Sequence, residues 1–156
     1  MVEKFKIDSL DRKIISILLK DARMPYVEVA RLCRLTGPAI HQRVQKLKEF
    51  GIINGSQINI SLSKLGHQTC AFIGIQVNLT SKNSHNDVFN RIKEINEITE
   101  CYHITGKHSL FVKIQTKNNE TLKRIIVEEI QSIPEVVYTE TFLSLEEGFI
   151  RQLPIE

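Results

Sequence analysis

Between Thr36 and Gly51 the chain sets an imidazole, two amides and an ammonium group on one side of a helical pattern. Ile40, Val44 and Leu47 recur at helical spacing and define an apolar stripe. At about 100° per residue, the opposite arc carries Pro38, His41, Gln42, Gln45, Lys46 and Glu49. Gln pairs with adenine through two hydrogen bonds, His can donate to guanine, and Lys is a point charge for phosphate. Such a helix reads the major groove of duplex DNA. An isolated helix of this pattern is also an ordinary solvated one, so its neighbours must decide between the two.

Other reactive residues do not gather in the same way. Ser109 follows His108, but adjacent strand-edge residues rarely face each other, so no nucleophile is expected. Cys101-x-His103, with His108 nearby, lacks the paired spacing of a zinc motif, and a packed thiol with surface imidazoles is the simpler reading. There is neither a P-loop nor a dinucleotide fingerprint. No enzyme activity, cofactor or metal is expected. Cys33, Cys70 and Cys101 are three, widely spaced and without CxxC pairing, which suits a reducing cytoplasm. No apolar run approaches the roughly 18 residues of a membrane span, and no signal peptide is recognisable.

Charge is unevenly placed. Residues 1–60 hold 11 Lys and Arg against 6 Asp and Glu, whereas residues 61–156 hold 10 against 12. A basic first third on a slightly acidic remainder is an electrostatic footprint for nucleic acid. The excess of five positive charges is modest, so binding is expected to use two copies.

The elements that would position the helix are legible on both sides of it. Asp8 or Ser9 can cap a helix running to about Lys20, with Leu10, Ile14, Ile17 and Leu18 inward. Pro25 starts a second helix whose Tyr26, Val29, Ala30 and Cys33 share one face. Thr36 is an N-cap type for the third, Gly37-Pro38 sit where a missing N–H is harmless, and Gly51 ends it. Asn54-Gly55, between Ile52-Ile53 and Ile58–Ile60, predicts a hairpin wing. Residues 1–60 then form a winged helix-turn-helix, and Ser61–Gln68 a linker to a domain at 69–156.

In that second domain Ala71–Leu79 alternate as a strand, and Thr80–His85 form a polar loop in which Ser84 can cap with Asp87. Val88, Phe89, Ile92 and Ile95 give a helix, and Ile98–Thr105 and Leu110–Thr116 two strands. Asn118-Asn119 cap a helix that turns Leu122, Ile125, Ile126, Ile130 and Ile133 inward and stops at Pro134, before a strand at Val136–Leu145. The order βαββαβ makes the chain α+β, a ferredoxin-like domain behind the DNA-binding head.

This arrangement resembles the Lrp/AsnC (feast/famine) transcriptional regulators over nearly its whole length. The resemblance rests on Ile7-Asp8-x-x-Asp11-x-x-Ile14, Asp21-Ala22-Arg23, Val29-Ala30, Arg43-Val44-x-x-Leu47, Gly51-Ile52-Ile53-x-Gly55 and Glu100-Cys101-Tyr102 before Thr105-Gly106. It implies a cytoplasmic regulator of RAM-type domain architecture, dimeric through its C-terminal sheets and assembling to tetramers or octamers. Its partners would be double-stranded promoter DNA with a pseudo-palindromic site and an amino acid or other small metabolite. It implies DNA contacts at Thr36, Pro38, His41, Gln42, Arg43, Gln45 and Lys46. Arg43 lies about 60° from the stripe centre, so it either reaches a phosphate or ties the helices together through an acid such as Asp11 or Asp21.

The resemblance places an effector around the turn after the second strand, at Tyr102, His103, Thr105, Gly106, Lys107, His108 and Ser109, with Thr139 and Thr141 on the last strand. Relatives commonly carry Gly-Asp-x-Asp-Tyr there, whereas this turn reads Gly106-Lys107-His108-Ser109-Leu110. No carboxylate remains in the turn to receive an α-ammonium group. The pocket therefore takes a different molecule, or the turn serves assembly alone. An effector-independent architectural DNA binder, and a ferredoxin-like sensor without DNA binding, are the alternatives. A second departure is Arg34, where glycine is usual; if that residue needs positive φ it costs on the order of 1 kcal/mol.

Overall fold

The structure is a computed structural model that describes residues 6–78 and 85–155. The chain divides into two compact units: one runs to Asn59 and includes Phe149 onward, the other is Ile60–Gly148.

The first unit holds three helices, α1 (Ser9–Lys20), α2 (Tyr26–Cys33) and α3 (Gly37–Glu49). Asp8 caps α1: its carboxylate accepts the Asp11 N–H at 2.7 Å, and the Asp11 carboxylate accepts the Asp8 N–H at 3.2 Å. This reciprocal pair satisfies two N–H groups that helix geometry leaves without partners. Ile14, Val29, Ala30, Cys33, Ile40, Val44 and Leu47 are buried between the three helices. Complete burial is worth about 1.5–3 kcal/mol for each large aliphatic side chain. Arg34 closes α2 in the left-handed region at φ 55°, ψ 45°, so the strain foreseen for a non-glycine residue there is present.

The expected wing does not form. No strand is found among residues 52–60. Gly51, at φ 67°, reverses the chain, and the Ile52 and Ile53 N–H groups both donate to Leu47 O at 2.9 and 3.1 Å. These donors close the C-terminus of α3 and are unavailable to a hairpin ladder. Ile53 packs against the helical core instead.

The second unit opens with a short 3-10 turn (Ser63–Leu65) and continues as β1 (Thr69–Val77), α4 (His85–Lys93), β2 (Ile98–His103), β3 (Leu110–Thr116), α5 (Asn119–Arg124) and β4 (Val136–Leu143). The sheet order is β2-β3-β1-β4, antiparallel throughout, which is the ferredoxin-like arrangement. Residues 79–84, including the Ser84 cap, lie outside the described residues. Ala71, Ile73, Ile75, Leu110, Val112 and Ile114 face the helices and pack on Val88, Ile92, Leu122, Ile125 and Ile130. Of the apolar residues of α4, Phe89 stands 39% exposed.

The last helix departs from the single α-helix expected. After Arg124 it widens into a π turn over Ile125–Ile130, with Gln131 N–H donating five residues back to Ile126 O at 2.8 Å. In an α-helix residues five apart diverge by about 140°; the wider turn lets Ile125 and Ile130 both face the sheet and be fully buried.

Candidate nucleic-acid interface and effector turn

The N-terminus of α3 is fixed locally. Thr36 Oγ1 accepts the Ala39 N–H at 3.4 Å, and Pro38 sits in the first turn. With Ile40, Val44 and Leu47 buried, the opposite side chains are forced outward. Pro38, His41, Gln42, Gln45, Lys46 and Glu49 line one open concavity on that side. Five of these six are residues the sequence points to. Thr36 serves as the cap that starts the helix rather than as part of that concavity.

Two details bear on recognition. The His41 ring meets Tyr26 edge-on, with centroids 5.8 Å apart and planes at 70°, so α2 orients the imidazole. Gln45 Nε2 donates to Glu49 Oε1 at 3.3 Å, so Glu49, which sequence reasoning left without a role, sets which end of the Gln45 amide faces outward.

Arg43 is placed apart from this face. Its Nη1 donates to Asp11 Oδ1 at 2.7 Å and to Asp8 Oδ2 at 2.8 Å, joining α3 to the start of α1. Of the two roles open to it, tying the helices is the one its geometry carries; the acid is Asp11 with Asp8, not Asp21. Asp8 is held below the usual carboxylate range, first by the Asp11 N–H and then by the Arg43 guanidinium.

At the other candidate site, Gly106 turns at φ 112° and Ile104 N–H donates to Ser109 O at 3.0 Å. Ser109 is structural: its N–H donates to Ile75 O at 2.9 Å and its hydroxyl accepts the Val77 N–H at 3.3 Å. Thr105 and Gly106 are exposed on the turn. His108 lies over Gly74, where a Cβ would meet the ring at 2.5 Å. Its ring also stacks on Tyr138, with centroids 6.2 Å apart and planes at 5°.

A carboxylate reaches this turn from elsewhere in the chain. Glu140 on β4 places Oε2 3.0 Å from Lys107 Nζ and 2.9 Å from His108 Nε2. An ionised carboxylate only accepts, so Nε2 carries the proton. Lys107 first, and His108 second, hold Glu140 below the usual carboxylate range, while Glu140 pushes the Lys107 ammonium up. The turn, which has no acid of its own, thus has a carboxylate from β4 beside it.

Other residues assigned to the effector are not gathered here. Thr139 and Thr141 pair with Ile75 and Ile73 and so lie on the helix-facing side of β4, where Gln131 Nε2 donates to Thr139 Oγ1 at 2.8 Å. The β4 residues on the turn's side are Tyr138 and Glu140, identifiable from sequence only once the register is known. Tyr102 and His103 sit on the edge strand β2, opposite Phe111 and Leu110. The Tyr102 hydroxyl donates to Glu100 Oε2 at 2.8 Å, which pushes the phenol pKa up. Burial raises the Cys70 and Cys101 thiols, favouring the protonated form. Among the described residues no three metal-binding side chains come together.

Comparison with known proteins agrees with this architecture. Residues 7–48 match the AsnC-type helix-turn-helix domain, and residues 70–152 match the Lrp/AsnC ligand binding domain. Regulatory protein AsnC of Haemophilus influenzae is 38% identical over 94% of this chain and 97% of its own length. Regulatory protein AsnC of Escherichia coli is 34% identical over 97% and 99%. The solved structure of E. coli AsnC has a TM-score of 0.88, with 33% identity over 96% of this chain and 99% of that one. The L-Met complex of a Neisseria meningitidis transcriptional regulator shares the fold, with a TM-score of 0.87 at 18% identity over 94% of each chain. A helical head that exposes amides, an imidazole and an ammonium on one helix, ahead of a ferredoxin-like ligand-binding domain, thus places the chain in the Lrp/AsnC family of DNA-binding transcriptional regulators.

Proposed function

We propose that the protein is a cytoplasmic regulator that binds a pseudo-palindromic promoter site as a homodimer and responds to an amino acid or other small metabolite. The observation that carries the DNA reading is the outward face of α3. On it Gln42 and His41 read base edges, Gln45 adds a further polar contact, and Lys46 contacts phosphate. Residues 1–60 act as the DNA-binding domain, 61–68 as the linker and 69–156 as the assembly and effector domain.

The side of the sheet away from its helices supports assembly. Phe72, Phe111 and Phe142 form a run of rings with centroids 6.0 and 6.3 Å apart, and Tyr102, Tyr138 and Phe142 stand 54, 45 and 46% exposed. A second copy would cover this aromatic face, and further association of dimers follows the same family logic.

Selection from a randomised duplex pool tests the specificity. A recovered site with two related half-sites, centres about one helical turn or a multiple of it apart, is the expected result. Recovery of no preferred sequence, with tight binding retained, would overturn it in favour of an architectural DNA binder.

A further inference from the structure

We infer that Glu49 is a positioning residue that makes Gln45 a reader of adenine at one base pair of each half-site. The inference rests on the reading of α3 as the helix that enters the major groove, and it names the base that one of its side chains selects.

An amide has two unlike ends, a carbonyl that accepts and an NH2 that donates, and either can face a base. Gln45 Nε2 donates to Glu49 Oε1 at 3.3 Å, one helical turn further on. An ionised carboxylate only accepts, so the amide cannot turn over without setting two acceptors against each other. Both side chains are exposed and line the outward concavity of α3. Closing that concavity on DNA removes water from the Glu49 carboxylate, and Gln45 is the donor at hand to replace it. Gln42, the other amide on this face, has Pro38 and Lys46 one turn away on either side, and neither offers a side-chain acceptor.

Held in this way, Gln45 turns its oxygen outward and keeps one N–H for a base. Adenine offers the N6 amino group as donor and N7 as acceptor in the major groove, which answers both. Cytosine offers only its N4 amino group and satisfies the oxygen alone. Guanine offers O6 and N7, two acceptors that the outward oxygen repels. The order of preference is therefore adenine, then cytosine, with guanine rejected.

The test is competition binding of the full chain on its selected site, with each of the four base pairs placed in turn at the position that Gln45→Ala relaxes. Wild type is expected to prefer adenine over guanine there by about tenfold or more. E49A is expected to reduce that ratio to about threefold or less, while the positions answering to His41 and Gln42 hold. E49Q, whose carbonyl still accepts but whose amide can itself turn over, should fall between the two, and it keeps the test open should E49A fold poorly. Q45E, which always presents an oxygen and has no N–H, is expected to move the preference to cytosine. Guanine preferred by wild type, Gln45→Ala relaxing no position, or a ratio unchanged in both Glu49 variants would overturn the role of Glu49 and leave α3 as the reading helix. A wild-type chain that binds all duplexes alike would overturn both.

Discussion

Nη1 of Arg43 donates to Oδ1 of Asp11 at 2.7 Å across 32 residues of sequence, and the Asp11 side chain it reaches is 4% exposed. The head thus holds an acid in its interior between one guanidinium from α3 and the Asp8 N–H. Breaking a buried ion pair from one side commonly costs about 3–5 kcal/mol, because the other charge is left behind. Arg43 is itself 34% exposed, and water entering its place offsets part of this. Arg43→Ala is expected to lower stability by about 2 kcal/mol in urea titration. Binding by the folded fraction should keep its salt slope; a slope reduced by about one would assign Arg43 to phosphate instead.

Asp8 makes this network pH-dependent. Its folded pKa is depressed, so its contribution is fully present above the ordinary Asp value of about 3.9 and drains away as pH falls through the lower folded value. Asp8→Asn should be less stable than wild type at neutral pH, and the two urea midpoints should converge as the pH is lowered well below the ordinary Asp value. Parallel curves over that range would show that Asp8 does not titrate with folding.

Arg34 stores strain at the turn before α3. A residue without Cβ relieves it, whereas glycine also adds freedom to the unfolded chain. With φ at 55°, the relief outweighs that added freedom, and Arg34→Gly is expected to raise stability by about 0.5–1 kcal/mol. A higher melting temperature checks this; an unchanged or lower one would mean that the Arg34 side chain contributes contacts outweighing the strain.

On the DNA face the roles separate by readout. Gln42→Ala and His41→Ala should each cost about 1–3 kcal/mol on the preferred site and relax selection at one position of each half-site. Lys46→Ala should weaken all duplexes alike and reduce the salt slope by about one. Competition titrations at several salt concentrations distinguish the two patterns. Uniform weakening by Gln42→Ala would move base reading elsewhere.

The sheet face offers a test of assembly that leaves the head alone. Phe142 is 46% exposed on β4, so a charge there is cheap in a monomer and costly within an apolar interface. Phe142→Lys is expected to shift sedimentation from dimer to monomer with the melting of the second unit little changed. Retention of the dimer would exclude this face.

Much of the local order is written directly into the chain. The three head helices follow from Asp8, Pro25 and Thr36 at their starts and from apolar residues at a 3.6-residue period; β1 and β3 follow from strict alternation. These signals act between residues a few positions apart, and tertiary contacts reinforced them. The outward face of α3 was legible for the same reason, since burying Ile40, Val44 and Leu47 leaves the opposite arc no choice.

Features that depend on residues distant in sequence were settled by packing in three dimensions. Asn54-Gly55 is a strong hairpin signal, yet the preceding N–H groups had already been taken by Leu47 O. The π turn at Ile125–Ile130 answers to the sheet beneath it, which no local pattern encodes. Whether Arg43 faced DNA or the core depended on the distance to Asp8 and Asp11, and helical phase alone left both open. Thr139 and Glu140 are neighbours in sequence but lie on opposite faces of β4. Only the pairing of Glu140 with Gly74, beneath His108, brings a carboxylate to a turn that has none of its own.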